Sequence, residues 1–176
     1  SVELFDSDTL DEIVLQHVSQ EDTWQLNSFL TTYVSLRHEQ FGWSWSNKIL
    51  EQANAGGWAR NSIISVFLGL PLDWNTFERL EKMDEYTIES YWSNMNLLLT
   101  PDTDPEILEY AIRKTINAGR AEEAIHRLGM ARSGSVSSTD LIRHSLEKLI
   151  EQSQSKKSSQ PNIGYYVGEL FNELDR

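Results

Sequence analysis

The chain has 176 residues and a formal charge of −12, from 27 acidic and 15 basic side chains. An acidic surface repels phosphate backbones, so we expect no nucleic acid partner. Hydrophobic residues make up 39% of the chain and the mean hydropathy is −0.46, values typical of a folded soluble protein. No apolar run approaches the ~20 residues that cross a bilayer, so we expect no membrane partner either.

The chain contains no cysteine, which excludes disulfides and thiolate metal sites and permits the cytoplasmic location that we expect. The first six residues lack both the basic and the apolar region of a secretory signal. The sequence does not begin with methionine, and both of its ends lie close to predicted helices. We therefore expect the chain to be an excerpt of a longer protein.

Four helices are predicted in the first 70 residues from apolar side chains at helical spacing. The inward face of the first helix comprises Leu10, Ile13, Val14, His17 and Val18. The second helix begins after a capping Asp22 or Thr23 and ends at Gly42, and the third extends to Ala53. The fourth, at 59–68, is apolar on most sides, and we expect it to be central.

Two more helices complete a tryptophan-rich first part, residues 1–100. Asp73 caps one of these helices and Thr87 begins the other. Their spacing predicts four aromatic residues in the core, namely Trp74, Phe77, Tyr91 and Trp92. A turn-rich joint with two prolines, 100–105, leads into a second part, residues 101–176. We expect the two parts to form one continuous domain.

One helix-like phrase occurs twice in the second part, with an offset of 34 residues. Residues 104–116 align with residues 138–150, and each copy has a small polar capping residue and an acid in its first turn. The apolar positions also match, since Ile107, Leu108, Ala111, Ile112 and Ile116 align with Leu141, Ile142, Ser145, Leu146 and Ile150. A period in the thirties is typical of stacked helical hairpins.

A returning helix is predicted after each copy, at Ala121–Met130 and after Pro161. These helices align with an offset of 42, and the extra residues match a polar low-complexity insertion at 152–160. Sustained alternation of apolar and polar residues is lacking, so no sheet is predicted. The predicted fold is all-α, with about ten helices that form antiparallel hairpins stacked as a short α-solenoid-like array.

The turn Ala118-Gly-Arg-Ala-Glu-Glu-Ala124 and the 34-residue spacing resemble those of the tetratricopeptide and HEAT-like α-solenoid superfamily, in a degenerate form. The resemblance covers 104–175, and it extends to 7–100 only through the pairing of helices. The chain departs from the tetratricopeptide pattern at most consensus positions, including the early Trp-x-x-Leu-Gly signature. The resemblance implies a right-handed array of hairpins with a concave face that binds a partner.

Candidate catalytic and metal-binding motifs are incomplete. Glu123-x-x-His126 has the spacing of a carboxylate-bridged di-iron site, but the second copy that such a site requires is missing. His38-Glu39 begins like a zinc-protease motif, but it lacks the second histidine. We interpret His17 as bonded to a carbonyl group rather than as a general base. We therefore predict no catalytic residue, cofactor or metal, and no enzymatic activity.

Aromatic and basic residues are the candidates for partner binding. Phe41-Gly-Trp-Ser-Trp45 places three aromatic residues close together without a helical stripe, and tryptophan is enriched at interface hot spots. A basic strip lies near the turn between the helices of the first predicted hairpin, and it comprises Arg113, Lys114, Arg120, Arg127 and Arg132. We predict that Trp43, Trp45 and Arg120 contact a protein or peptide, and that the protein is an interaction scaffold or adaptor.

Two alternative functions also agree with the sequence. The first is an α-helical ligand-binding or enzymatic domain with a tryptophan-lined pocket in residues 41–92, which a deep cavity ringed by histidine, glutamate or arginine would support. The second is an acidic inhibitor or immunity-type protein that blocks a basic target. A tight complex with a cationic partner, steeply weakened by salt, would favour the second.

Overall fold

The computed structural model describes residues 7–20, 23–96, 104–130, 139–153 and 163–174. Every regular element in these ranges is a helix, as the sequence predicts. The described helices are α1 Ser7–Gln20, α2 Trp24–Ala55, α3 Arg60–Gly69, α4 Trp74–Leu80, α5 Glu85–Asn94, α6 Pro105–Asn117, α7 Ala121–Met130, α8 Thr139–Ser153 and α9 Ile163–Leu174. The side chain of Leu10, Arg132, and most of the predicted joint and polar insertion lie outside the described residues.

Gly42 divides α2 into two helical segments, residues 24–41 and 43–55. Its φ of 62° and ψ of −155° belong to a backbone region that essentially only glycine adopts. His38 Nδ1 lies 2.8 Å from Ser46 Oγ, so a side-chain contact connects the two segments across the break. The predicted end of a helix at Gly42 is confirmed. If the two segments of α2 are counted separately, the described ranges contain ten helical segments, against about ten predicted helices.

Replacing Gly42 with alanine should lower the free energy of unfolding by roughly 1–3 kcal/mol, the usual cost of a non-glycine residue in such a region. A Cβ atom at Gly42 would meet no other atom within 4 Å, so the cost is conformational rather than steric. Urea denaturation followed by tryptophan fluorescence measures the change. Gly168→Ala is the control because its Cβ is equally free of contacts and its φ is not positive. Equal stability of the two variants would contradict this expectation.

The chain divides into two compact units, Ser1–Tyr91 and Trp92–Arg176. In the first unit, α2 and α3 approach closely at Gly69, where an added Cβ would lie 2.8 Å from Val34 Cβ and closer still to the Thr31 carbonyl oxygen. The Thr31 hydroxyl also donates a hydrogen bond to a carbonyl oxygen of α3 at 3.2 Å. The fully buried side chains of α2 and α3 include Leu30, Val34, Ile49, Val66 and Phe67.

The face that α1 turns toward the core differs from the predicted one. Leu15 and Val18 are buried, whereas Ile13 is 47% exposed and His17 is also exposed. The prediction is wrong at these two positions because Asp11, which interrupts the apolar pattern, occupies the packed face one turn before Leu15. His17 Nδ1 donates to the Ile13 carbonyl oxygen at 2.9 Å, so the predicted carbonyl-bonded histidine is confirmed.

Two aspartates cap the short helices α4 and α5. Asp73 caps α4, as predicted, and Asp84 caps α5 by accepting a hydrogen bond from the Thr87 backbone N–H at 3.2 Å. The core position predicted for Trp74 is wrong, since this side chain is 41% exposed. Trp74 is the first residue of a helix of only seven residues, and it is Phe77, one turn later, that enters the core.

Helices α6 to α9 form two stacked hairpins in the second unit. A three-residue turn joins α6 to α7, α6 packs against α8, and α7 packs against both α8 and α9. The two copies of the repeated phrase, in α6 and α8, bury the same positions: Ile107 and Leu141, Leu108 and Ile142, Ala111 and Ser145, Ile112 and Leu146. The last pair differs, because Ile116 is buried and Ile150 is 58% exposed.

Gln152 of α8 connects the second hairpin to the turn of the first. Its Oε1 accepts a hydrogen bond from the Ala121 backbone N–H at 3.2 Å, and its Nε2 donates to the Ile116 carbonyl oxygen at 3.5 Å. Its amide thereby provides an acceptor for the first N–H of α7, which a helix leaves without an internal partner, whereas the Ile116 carbonyl oxygen also accepts from the Gly119 backbone N–H at 3.0 Å.

Candidate functional site

A groove of about 680 Å³ lies between α1 and the second segment of α2, within the first unit. Leu15 and Ile49 form part of its lining and are 8% and 1% exposed, so its floor is apolar. The polar and aromatic side chains along it are Asp11, Glu12, Gln16, Trp45, Lys48, Gln52 and Trp58. The groove therefore combines an apolar floor with indole rings and a polar rim, which is the composition of many recognition surfaces.

Helical periodicity explains why these residues share one groove. The α2 residues in the lining begin at Trp45, continue with Lys48, Ile49 and Gln52, and end at Ala55. Intervals of three and four residues place them on one face of the helix. At a rise of 1.5 Å per residue, this face is about 15 Å long, or roughly three helical turns.

The Asp11 carboxylate, at one end of the groove, joins α1 to both segments of α2. Its Oδ1 accepts hydrogen bonds from the Tyr33 hydroxyl and from Arg37 Nε at 2.7 Å, and it also pairs with Arg37 Nη2. Its Oδ2 accepts a hydrogen bond from Trp45 Nε1 at 2.7 Å. The Arg37 guanidinium lies 4.9 Å from the centre of the Phe41 ring. This cluster fixes the orientation of the Trp45 indole in the groove.

Burial and hydrogen bonding shift the acidity of two members of this cluster. Burial, reinforced by the hydrogen bond to Asp11, raises the pKa of the Tyr33 hydroxyl to about 12. Burial alone would lower the pKa of Arg37, but the hydrogen bonds and charge of Asp11 outweigh this effect and the pKa is raised. Tyr33 is therefore a neutral donor and Arg37 a permanent cation around neutral pH.

Trp43, one of the three predicted partner residues, packs against other parts of the first unit. The Arg79 guanidinium lies 4.3 Å from its ring centre, and the His38 ring packs edge-on at 5.0 Å. Arg79 is itself held in place by a hydrogen bond from Nε to Asn47 Oδ1 at 3.0 Å. The indole of Trp43 is half-buried and does not line the groove, whereas Trp45, the second predicted residue, does.

Arg120, the third predicted partner residue, makes intramolecular contacts in the second unit. It donates hydrogen bonds to the carbonyl oxygens of Trp92 and Met95 at 2.9 and 2.7 Å, and it pairs with Glu123. Cationic side chains stabilise the carbonyl groups at the end of a helix, and these two carbonyls lie at the end of α5. A role of Arg120 in partner binding stays a prediction. To bind a partner, Arg120 would have to replace these intramolecular contacts with contacts to the partner.

The other described bases of the predicted strip also have partners in the second unit. Arg113 pairs with Glu109 at 2.7 Å, and the Lys114 ammonium lies 5.1 Å from the centre of the Tyr110 ring. Arg127 donates to an amide oxygen, that of Asn96, at 3.0 Å. Arg120 and Arg127 thus both donate to the segment from Trp92 to Asn96, and the described bases of the strip are engaged in contacts within the second unit.

The net charge is distributed unequally between the two units. Ser1–Tyr91 contains 15 acidic and five basic residues, a formal charge of −10, whereas Trp92–Arg176 contains 12 acidic and ten basic residues, a formal charge of −2. Three of the five bases of the first unit lie against its own side chains: Arg37 on Asp11, Arg60 over Tyr86 and Arg79 over Trp43. The first unit, which contains the groove, therefore carries most of the net negative charge.

A second apolar surface lies on the first segment of α2. Phe29 is 47% exposed and Leu36 is 59% exposed, and their separation of seven residues places them on the same face two turns apart. The Phe29 ring stacks on Tyr33 with 5.8 Å between the ring centres. Helix surfaces that expose large apolar side chains together are frequent contact sites for other proteins.

Among the residues of known placement, no three His, Asp or Glu side chains are grouped to hold a metal ion. His38 and Ser46 are in contact, but Ser46 is fully buried, so no substrate reaches its hydroxyl. Over the same residues, no helix is long and apolar enough to cross a membrane.

The sequence identified one of the two indoles of the groove. Trp45 was accessible to prediction because it belongs to a dense aromatic segment, whereas Trp58 follows the end of α2 and belongs to no apolar pattern. The sequence signal for Trp58 is the nearby Gly56. A Cβ at Gly56 would lie 3.2 Å from the Trp58 indole and 2.7 Å from the Gln52 carbonyl oxygen.

No protein-family model, curated protein or solved structure that was compared with this chain matches it.

Proposed function

We propose that this protein is an interaction scaffold or adaptor, and that it binds a segment of a partner protein in the groove between α1 and the second segment of α2. The observation that carries the proposal is the groove itself, with a fixed indole, Trp45, above an apolar floor. A ring that is already oriented loses little conformational entropy when a partner binds, and this favours recognition.

The remaining parts of the proposal follow from the sequence. The stacked hairpins of the second unit agree with the tetratricopeptide or HEAT-like repeat that the 34-residue spacing suggests, and we propose that they provide a binding surface of their own. The action is passive, without catalysis or cofactor, and we propose that it takes place in the cytoplasm. The acidic field of the first unit limits the choice of partners through charge.

A second candidate function is the binding of a small molecule in the same groove. The volume of about 680 Å³ favours it, because pockets for small ligands usually have ~300–1,000 Å³. The polar rim includes Glu12 but no histidine or arginine among the lining residues described. The elongated form, along about three turns of α2, suits a chain segment better than a compact ligand.

Blocking the groove should abolish binding of peptides that the protein selects. Peptides can be selected from a random displayed library on the intact chain, and their affinities measured by fluorescence anisotropy. We expect Gln52→Trp, which fills the groove, to weaken binding by about tenfold or more. Asn54→Trp is the matched control, since Asn54 is exposed on the same turn of α2 and does not line the groove. Peptides that bind both variants as they bind the parent would contradict the proposal.

A further inference from the structure

We infer that the groove between α1 and the second segment of α2 accepts a basic amphipathic helix, which inserts its apolar stripe between the two helices. This inference rests on the proposed function, since it names the chemistry of the partner for the same groove. Three observations support it, namely the form of the groove, the arrangement of its apolar and polar groups, and the charge around it.

The form of the groove matches a third helix. Its two walls are helix faces, a shorter one on α1 from Asp11 to Gln16 and a longer one on α2 that continues for about 15 Å. A helix that packs against two others places its side chains into the furrow between them, with anchors at intervals of three and four residues. About three such anchors fit along this length, since apolar residues one turn apart are separated by roughly 5 Å.

The interior of the groove suits the apolar stripe of such a helix. The two lining side chains that are buried, Leu15 and Ile49, form an aliphatic floor, and the indoles of Trp45 and Trp58 offer flat apolar surfaces. Trp45 Nε1 already donates to Asp11, so this indole does not require a polar group from the partner. A partner side chain such as leucine or isoleucine can therefore be buried here without leaving a donor unsatisfied.

Charge decides between a basic and an acidic helix. The rim of the groove is nearly balanced, because Glu12 and Lys48 carry opposite charges and the Asp11 carboxylate is neutralised by Arg37. The unit that contains the groove has a formal charge of −10, and three of its five bases are engaged with its own side chains. Lysine or arginine on the outer face of a bound helix therefore meets an attractive field, and glutamate a repulsive one.

The experiment uses the intact chain and three synthetic peptides of about 18 residues, long enough to form a helix on binding. The first peptide has leucine at intervals of three and four residues and lysine or arginine elsewhere. The second has the same stripe with glutamate in place of the bases. The third has the composition of the first in an order that destroys the stripe. Fluorescence anisotropy of labelled peptides at near-physiological salt gives the affinities.

We expect the first peptide to bind at least tenfold more tightly than the second and the third. Gln52→Trp should weaken its binding by about tenfold, and Glu12→Lys by about threefold to tenfold, because a favourable charge in the rim becomes unfavourable. Glu39→Lys is the matched control for charge, since Glu39 is exposed on α2 outside the groove lining. We expect Glu39→Lys to change the logarithm of the affinity by less than half as much as Glu12→Lys does.

The outcomes separate this inference from the proposed function. Equal binding of the first and second peptides would overturn the basic partner, and equal binding of the first and third would overturn the amphipathic helix. If peptides selected from the random library bind in the groove but the first peptide does not, the inference fails and the proposed function stands. If Gln52→Trp changes the binding of no peptide of either kind, both fail.

Discussion

Replacing Gly69 with alanine should destabilise the first unit by about 3 kcal/mol or more, at or above the upper end of the usual cost of overpacking. The new Cβ would lie 2.8 Å from Val34 Cβ and closer still to the Thr31 carbonyl oxygen, and real Cβ atoms essentially never approach heavy atoms so closely. Because one of these neighbours is backbone, a change of side-chain rotamer cannot relieve the clash, and α2 and α3 must separate. Urea denaturation followed by tryptophan fluorescence provides the measurement.

A helical glycine with open space around it provides the control. A Cβ at Gly168, in α9, meets no atom within 4 Å, so Gly168→Ala should be neutral or should stabilise by about 0.4–1 kcal/mol through the reduced entropy of the unfolded chain. Replacement of glycine by alanine is thus expected to lower the stability at Gly69 and to leave it unchanged or raise it at Gly168. If Gly69→Ala were as stable as the parent, the close approach of α2 and α3 would be incorrect.

Replacing Asp11 with alanine should cost about 3–5 kcal/mol, since it removes one partner from a buried ion pair. The Arg37 and Asp11 side chains are 9% and 13% exposed. In the variant, the charge of Arg37 would therefore stay buried without its counterion. The Tyr33 hydroxyl and Trp45 Nε1 would also lose the acceptor that they share. Denaturation in urea measures this loss at neutral pH.

A double substitution distinguishes loss of the charge partner from general damage to α1. In Asp11→Ala combined with Arg37→Met, the uncompensated charge is gone and a side chain of similar length fills its place, so we expect a large part of the stability to return. The two changes should therefore be strongly non-additive. If the double variant were less stable than Asp11→Ala by the full effect of a second core substitution, the buried ion pair would not be the cause.

The fold class and several helix boundaries could be predicted from the sequence because they depend on local signals. Gly42 ends a helical segment because its backbone conformation requires glycine, and Asp73 and Asp104 cap α4 and α6 because their carboxylates accept backbone hydrogen bonds. In α6 and α8, apolar side chains at helical spacing predicted the buried face at most positions. These signals lie within a few residues of the feature that they determine.

The groove could not be predicted, because it depends on contacts between residues that are distant in sequence. Asp11 appears polar and external from its type, yet it lies on the packed face of α1 because Arg37 and Trp45 reach it from α2. Periodicity assigned Ile13 to that face instead, and Ile13 is 47% exposed. Of the residues predicted to bind a partner, only Trp45 lines the groove, and the contacts of Arg120 and Trp43 likewise depend on distant positions.

The link that Gln152 makes has a consequence for how the second unit comes apart. Stacked hairpins can unfold from one end of the array, so that one hairpin unfolds while its neighbour stays folded. Here the amide of α8 accepts a hydrogen bond from the Ala121 backbone N–H at the start of α7, so loss of the second hairpin removes the partner of that donor. We therefore expect fraying from the α8 side to weaken the first hairpin, and the two hairpins to unfold more cooperatively than independent ones.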